Sequence, residues 1–262
     1  MKPYKLFLSI LFVTLISCQG QKIDKLFEEG NLEFQNQNYS KAIGKYSQIL
    51  DIDSLNTEAY YKRASCYYNV GEFDLALSDY LNLIELNHKF PYAYCNRGFV
   101  YLEQNQIELA INDFNQQIKY HPKIAESFYG LSKAYMKMDS FKLADKHISN
   151  AIELDSTNSS FYEFRGLLYL VQRNPNLALI NFNKALNIDT TFSAYNGIGL
   201  CYLGLKSFEK AEYNFKQAIL LNPNFSAAYK SLGTLYLEQN NKQEAKRCFN
   251  IANKMDSLNG EH

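Results

Sequence analysis

The chain repeats itself every 34 residues. The stretch "YKRASCYYNVGEFDLALSDYLNLIEL" begins at Tyr60, "YCNRGFVYLEQNQIELAINDFNQQIKY" at Tyr94 and "FYGLSKAYMKMDSFKLADKHISNAIEL" at Phe128. The period continues through Tyr162, Tyr195 (one residue early) and Tyr229, and extends back to Leu26. Seven units result: 23–56, 57–90, 91–124, 125–158, 159–191, 192–225 and 226–259. A period of this length implies an array in which each unit buries its apolar face only by stacking on its neighbours.

Inside a unit the spacing is helical. Numbered from the first residue of each unit, position 4 is aromatic or Leu, position 8 is small in most units, and position 11 is Tyr in six of seven. That is an apolar stripe at helical spacing. Position 15 is often Gly, Asn or Asp (Gly71, Asn105, Asp139, Asn240), as a turn between two helices wants. Position 20 is Ala throughout: Ala42, Ala76, Ala110, Ala144, Ala178, Ala211 and Ala245. Position 24 is aromatic except at Ile148. A small residue recurring against large ones brings two helices into close crossing. Pro175 fits the first turn of a second helix, with Asn174 as its cap. Few prolines and glycines, five and twelve, suit helices better than turn-rich sheets.

This pattern resembles the tetratricopeptide repeat. The resemblance rests on the aromatic at 4, Gly or Ala at 8, Tyr at 11, Ala at 20 and Phe or Tyr at 24, with Pro122 and Pro223 at 32. It implies an all-α fold, a right-handed superhelical solenoid of seven helix–turn–helix repeats, with the first helix of each lining a concave groove. The ends read as polar caps. Glu29 and Glu33 stand in the first unit, and Asn253 and Lys246 in the last, where position 28 is otherwise Leu or Ile.

The N-terminus is a separate element. Lys2 and Lys5 precede an uncharged run from Leu6 to Ile16, the pattern of a secretory signal and too short for a comfortable membrane span. It ends in "LISC", Leu15 to Cys18, which resembles a bacterial lipobox. The resemblance implies a lipoprotein signal peptide over 1–17, lipidation of Cys18, a linker over 18–22, the repeat array over 23–259 and a tail over 260–262. A plain signal with a chance Cys and an uncleaved anchor are the alternatives. Gln19 stands where Asp would mark inner-membrane retention, which favours the periplasmic side of the outer membrane.

Twenty-seven basic residues balance twenty-seven acidic ones, which argues against nucleic acid as a partner. Cys66, Cys95, Cys201 and Cys248 form no CxxC pair and read as free thiols acting as small apolar residues. His88, His121, His147 and His262 form no HxxxH or HExxH pair, so no metal site is expected. "SFEK", Ser207 to Lys210, matches the first element of a Ser–Lys acylase motif without its partners, and Ser207 reads as a helix cap. No phosphate loop is present. Neither enzymatic activity nor a cofactor is expected.

Positions 2, 5, 6, 9 and 13 point away from the packed stripe and, by the resemblance, line the groove. In units one to four they are mixed polar and aromatic, including Phe99, Tyr129 and Lys133. In units five and six they turn apolar: Phe164, Leu167, Val171 and Leu200, with Asn196 beside them and Gly197 and Gly204 opening space. These residues form the candidate partner-binding groove. An exposed apolar patch usually marks a contact. A partner's apolar segment, a second copy or a flexible end of the chain, and self-burial in a tightly coiled superhelix are the three readings. Phe27 and Tyr92 occupy places where an acid-binding clamp needs Lys, so no such clamp is expected. The functional expectation is a lipid-anchored envelope scaffold that presents its groove to a protein partner, with assembly of an envelope complex as the expected setting. An accessory regulator recruiting a cell-wall hydrolase or protease, and a structural homodimer, are the alternatives.

Overall fold

The computed structural model describes the backbone of residues 3–259 and the side chains of 19–257. Cys18, the rest of the apolar leader and the tail 260–262 therefore lie outside the fully described residues. Among the described residues there are fourteen helices and no strand. They alternate as the two helices of each repeat. The first helices are α1 (Pro3–Gln35), α3 (Thr57–Asn69), α5 (Ala93–Glu103), α7 (Ala125–Lys137), α9 (Ser159–Val171), α11 (Phe192–Gly204) and α13 (Ser226–Glu238). The second helices are α2 (Tyr39–Ile52), α4 (Phe73–Leu86), α6 (Ile107–Tyr120), α8 (Phe141–Leu154), α10 (Pro175–Ile188), α12 (Phe208–Leu221) and α14 (Lys242–Asn259). Residues 1–130 form one compact unit and 131–262 a second, and each has its own packing.

Two helices cross closely because position 20 gives nothing to keep them apart. All seven alanines there are at most 1% exposed. The ring at position 24 then lies directly on position 8 of the same repeat. A Cβ on Gly30, Gly98, Gly166 or Gly233 would come within 2.8–2.9 Å of Tyr46, Phe114, Phe182 or Phe249, and one on Gly199 would come closer still to Phe215. Two rings are held from both sides. Gly130, at position 6 of the fourth repeat, covers Phe114, and Gly197, at position 6 of the sixth, covers Phe182. Gly197 is thus a packing residue and not an opening in a groove. No heavy atom lies within 4 Å of a Cβ built on Gly204.

The turn inside every repeat is the same Schellman motif. The residue at position 15 has positive φ in all seven: Gln37, Gly71, Asn105, Asp139, Arg173, Lys206 and Asn240, between 54° and 80°. The N–H of position 16 donates to the carbonyl of position 11 each time, as in Asn174 to Tyr169 at 2.8 Å and Ser207 to Tyr202 at 2.9 Å. This left-handed residue lets the helix end satisfy its last carbonyls. Glycine adopts it freely and Asn or Asp with modest cost, but Gln37, Arg173 and Lys206 carry a Cβ penalty. Arg173→Gly is expected to stabilise the fifth repeat by about 0.5–1 kcal/mol, since relief of the left-handed penalty exceeds the added unfolded-state entropy. Slower amide exchange at Asn174 would record the gain, and faster exchange would refute it.

Helix starts are less uniform. Asn174 accepts from the Leu177 N–H at 3.2 Å ahead of Pro175. Asn56 and Thr191 cap α3 and α11 through Ala59 and Ala194. Ser207 stands at the N-cap of α12, yet its hydroxyl makes no capping bond. The one residue missing from the fifth repeat comes out of the loop after α10, where three residues, 189–191, replace the four that follow α8 and α12.

Candidate functional site

The first helices of the first, second, third and fifth repeats are held by a polar contact at position 7 that no periodic apolar signal reveals. Arg63 places Nε and a terminal nitrogen on the two carboxylate oxygens of Asp79, at 2.7 and 2.8 Å. Arg97 does the same with Asp113, at 2.7 and 2.9 Å. In the fifth repeat Arg165 donates to the amide oxygen of Asn181 at 2.7 Å. In the first repeat the charges are inverted, with Lys45 donating to Glu29. Glu29 thus pairs with the second helix of its own repeat while its side chain stays 37% exposed. Asp79 and Asp113 are buried, so each carboxylate depends on its fork of donors. The guanidinium of Arg63 also reaches Ser47 of the preceding repeat at 2.9 Å. It lies over the rings of Tyr60 and Tyr67 as well, each centroid 5.8 Å away.

Tyr at position 11 ties one repeat to the one before. The Tyr169 hydroxyl donates to Asp145 and that of Tyr236 to Glu212, both at 2.8 Å. Such contacts fix which side of each first helix remains open.

In the first unit the open side forms a pocket of about 220 Å³ lined by Ser65, Tyr68, Asn69, Tyr80, Asn96 and Phe99. The Asn96 amide donates to the Tyr61 hydroxyl at 3.2 Å, and Ser65 and Tyr80 share a hydrogen bond of 3.3 Å. Burial pushes the Tyr61 and Tyr80 phenols above the ordinary range, so both stay protonated. Phe99 lies edge-on to Phe114 at 5.1 Å and tilted against Tyr129 at 6.3 Å. Phe99 and Tyr129 are half-buried members of this unit.

The remaining candidates belong to the second unit. Leu167 and Val171 share the outer face of α9 and are 41% and 56% exposed. Their neighbours Gly166 and Leu168 are buried. Alongside α9 lies α11, which carries Asn196 and Leu200 one turn apart, both half-buried. Asn196 Oδ1 is buried without a hydrogen-bond partner. Lys133 is half-buried on α7. Phe164 is a correction: it is 6% exposed and packs inside, so it offers nothing to a ligand. Position 6 faces the position-24 side chain of the preceding repeat, as Gly130 and Gly197 show. Where position 24 is the smaller Ile148, position 6 of the next repeat is the large Phe164, and both are buried.

Burial pushes the thiols of Cys66, Cys95 and Cys201 up to about 12 and raises that of Cys248, so all four are unreactive apolar fillers. Burial also lowers the His147 pKa. Among the described residues no cluster of His, Cys, Asp or Glu is placed to hold a metal ion, and no helix is long and apolar enough to cross a membrane.

Tetratricopeptide repeat family models match residues 91–124 and 125–158 and residues 192–225 and 214–247, and a TPR repeat model matches 67–105, together more than half of the chain. Human tetratricopeptide repeat protein 6 is 30% identical over 113 residues, 43% of this chain and 22% of its own length. The chain thus spans less than a quarter of that relative. A tetratricopeptide repeat protein from Parabacteroides merdae superposes with a TM-score of 0.73 at 18% identity, covering 90% of this chain and 93% of its own. A chain of the Cut9–Hcn1 hetero-tetramer of the APC/C superposes with a TM-score of 0.66 at 14% identity, over 88% of this chain and 52% of its own.

Proposed function

The chain belongs to the tetratricopeptide repeat family, whose members generally mediate contacts between proteins, and from that premise we propose a non-enzymatic, lipid-anchored scaffold of a bacterial cell envelope. Cys18 holds it to the membrane, on the periplasmic side of the outer membrane. The groove residues of the fifth and sixth repeats receive an apolar segment of a partner protein, in the assembly of an envelope complex. Exposed Leu167 and Val171 beside Leu200 support this reading, because they form a contiguous apolar patch across two neighbouring first helices, and such patches often mark contacts. A chain of the same fold, solved within the Cut9–Hcn1 hetero-tetramer, stands in an assembly of proteins, in keeping with this reading.

The magnitudes set the affinity. Leu167 and Val171 are only about half exposed and Leu200 less, so burying what remains yields roughly 2–4 kcal/mol gross, against about 1.5–3 for each fully exposed side chain. Association costs on the order of 4–15 kcal/mol. Apolar contact alone therefore does not carry binding, and polar contacts from the flanking repeats must supply the rest.

The full chain and Leu167→Glu/Leu200→Glu are compared as baits in envelope extract, after circular dichroism shows equal helicity. A partner retained by the first and lost by the second is the expected result. Identical captures would remove the groove from the proposal. Membrane fractionation of Cys18→Ala tests the anchor separately: the variant is expected to leave the membrane fraction, and its persistence there would argue for another attachment.

A further inference from the structure

Within the first unit, helices joined by short turns run back and forth, so the loops between repeats gather at one end. These are loops 53–56, 87–92 and 121–124, and α1 enters the first repeat from the same end, through residues 19–22. Two of the loops depart from the pattern of the array. The first loop residue, position 31, is Asp53, Asp155 and Asp189 in the first, fourth and fifth repeats, but Asn87 and His121 in the second and third. From 87 to 94 and from 119 to 125 the chain carries Lys89, Lys119, Lys123 and two histidines, and no acid. All three lysines are exposed. Earlier in the unit, Lys25, Lys45 and Lys62 pair with Glu29 or Glu58. Among the described residues no carboxylate pairs with Lys89, Lys119 or Lys123.

The cations stand on an aromatic base. Lys119 Nζ lies 5.6 Å from the centre of the Tyr120 ring, Tyr120 stacks on Tyr94 at 5.8 Å, and His88 meets it edge-on at 5.7 Å. His121 donates from Nε2 to the Lys89 carbonyl at 2.9 Å and so ties the third loop to the second. The second loop is six residues long where the other two have four. Its last residue, Tyr92, has a φ of 66° and is 42% exposed. A bulky residue rarely adopts that backbone, and here it leaves an aromatic ring open to its surroundings at the loop's end.

Unpaired lysines with an exposed tyrosine suit the interface of an anionic bilayer. The cations are drawn to headgroup phosphates, and a tyrosine ring settles at headgroup level with its hydroxyl still hydrated. An acidic protein would satisfy the lysines as well, but it would not require them at the end where the chain departs for its anchor. Resting on the anchor proposed at Cys18, we propose that the loop end of the first unit lies on an anionic membrane surface, with Lys89, Lys119 and Lys123 against lipid phosphates and Tyr92 at headgroup depth. The anchor holds the chain near the membrane. The loop contact decides which end of the first unit faces it, and leaves the turns inside the repeats on the aqueous side.

The chain contains no Trp, so Tyr92→Trp supplies a single fluorophore at the site. The lipidated full chain carrying it is reconstituted in vesicles of phosphatidylcholine with phosphatidylglycerol, and in vesicles of phosphatidylcholine alone. Blue-shifted emission, quenched by brominated acyl chains, is expected in the anionic vesicles, with a clearly smaller shift in the neutral ones. Added salt should reverse most of it. Lys89→Glu/Lys119→Glu/Lys123→Glu, all at exposed positions, should abolish the shift with helicity unchanged by circular dichroism. Val70→Trp, at the exposed far end of α3, should give the same emission in both vesicles. Equal emission from Tyr92→Trp in the two vesicle types, or an equal shift at Val70→Trp, overturns the proposal and returns the lysines to a protein partner or to solvent. The anchor is judged apart from this contact. If Cys18→Ala leaves the membrane fraction while Tyr92→Trp stays unshifted in the lipidated chain, the anchor stands and the contact fails. If Cys18→Ala persists in that fraction and the triple charge reversal releases it, the contact stands and the anchor fails.

Discussion

Phe182→Ala is expected to cost about 3–5 kcal/mol, the range for emptying a buried aromatic site. The ring is 1% exposed and is enclosed by its own repeat through Gly166 and by the next through Gly197. Long repeat arrays depart from two-state unfolding, so the loss is best read from amide exchange in α9, α10 and α11. Gly197→Ala alone is expected to destabilise by about 1–3 kcal/mol through overpacking, because its Cβ would enter the ring. In the Phe182→Ala background the same methyl has room and should cost nothing or recover stability. A strongly favourable coupling energy in this double-mutant cycle is therefore predicted. Simple additivity would mean the backbone shifts to admit the methyl and the ring is not clamped as described.

Asp113→Ala is expected to cost about 3–5 kcal/mol, since it leaves the Arg97 guanidinium buried with neither of its two carboxylate bonds. The chain itself indicates which replacements soften that loss. The fifth repeat sets an amide oxygen, Asn181 Oδ1, before Arg165, so Asp113→Asn should cost clearly less than Asp113→Ala. The first repeat holds the inverted pair Glu29 and Lys45, so Arg97→Glu/Asp113→Lys should recover part of the loss seen in either single change. Amide exchange across α5 and α6 decides the matter. Equal losses for the Asn and Ala variants would show that formal charge, not donor geometry, holds these helices together.

The helical architecture was legible because its signals recur along one stripe. Alanine at 20 and the ring at 24 repeat often enough that single exceptions such as Ile148 do not hide them. The turn was legible only where its residue suits left-handed backbone. Gly71, Asn105, Asp139 and Asn240 announced it, whereas Gln37, Arg173 and Lys206 adopt the same conformation against preference because the two packed helices impose it. The arginine contacts were missed since each joins residues 16 apart on two different helices. Comparing columns 7 and 23 of the repeat, where Arg meets Asp or Asn and Glu meets Lys, would have found them. On the groove, the outward turn of Leu167 and Val171 follows from helical spacing alone. Phe164 does not, because position 6 sits at the boundary between the open face and the neighbouring repeat, and side-chain volume there depends on the residue at 24 in the repeat before.

That dependence turns the molecule into a record of its own trials. Seven copies of one two-helix design have diverged inside a single chain, each under the same geometric demands. Where the ring at 24 is kept as Phe, position 8 is glycine; where it has become Ile148, position 8 is Ser132, whose hydroxyl bonds the carbonyl of Ala144 at 2.6 Å. Beside Tyr80 a methyl is tolerated, as Ala64. A designer wishing to lengthen, shorten or graft this array can therefore take compatible pairs from within it, moving positions 8, 24 and the following 6 as one inherited set.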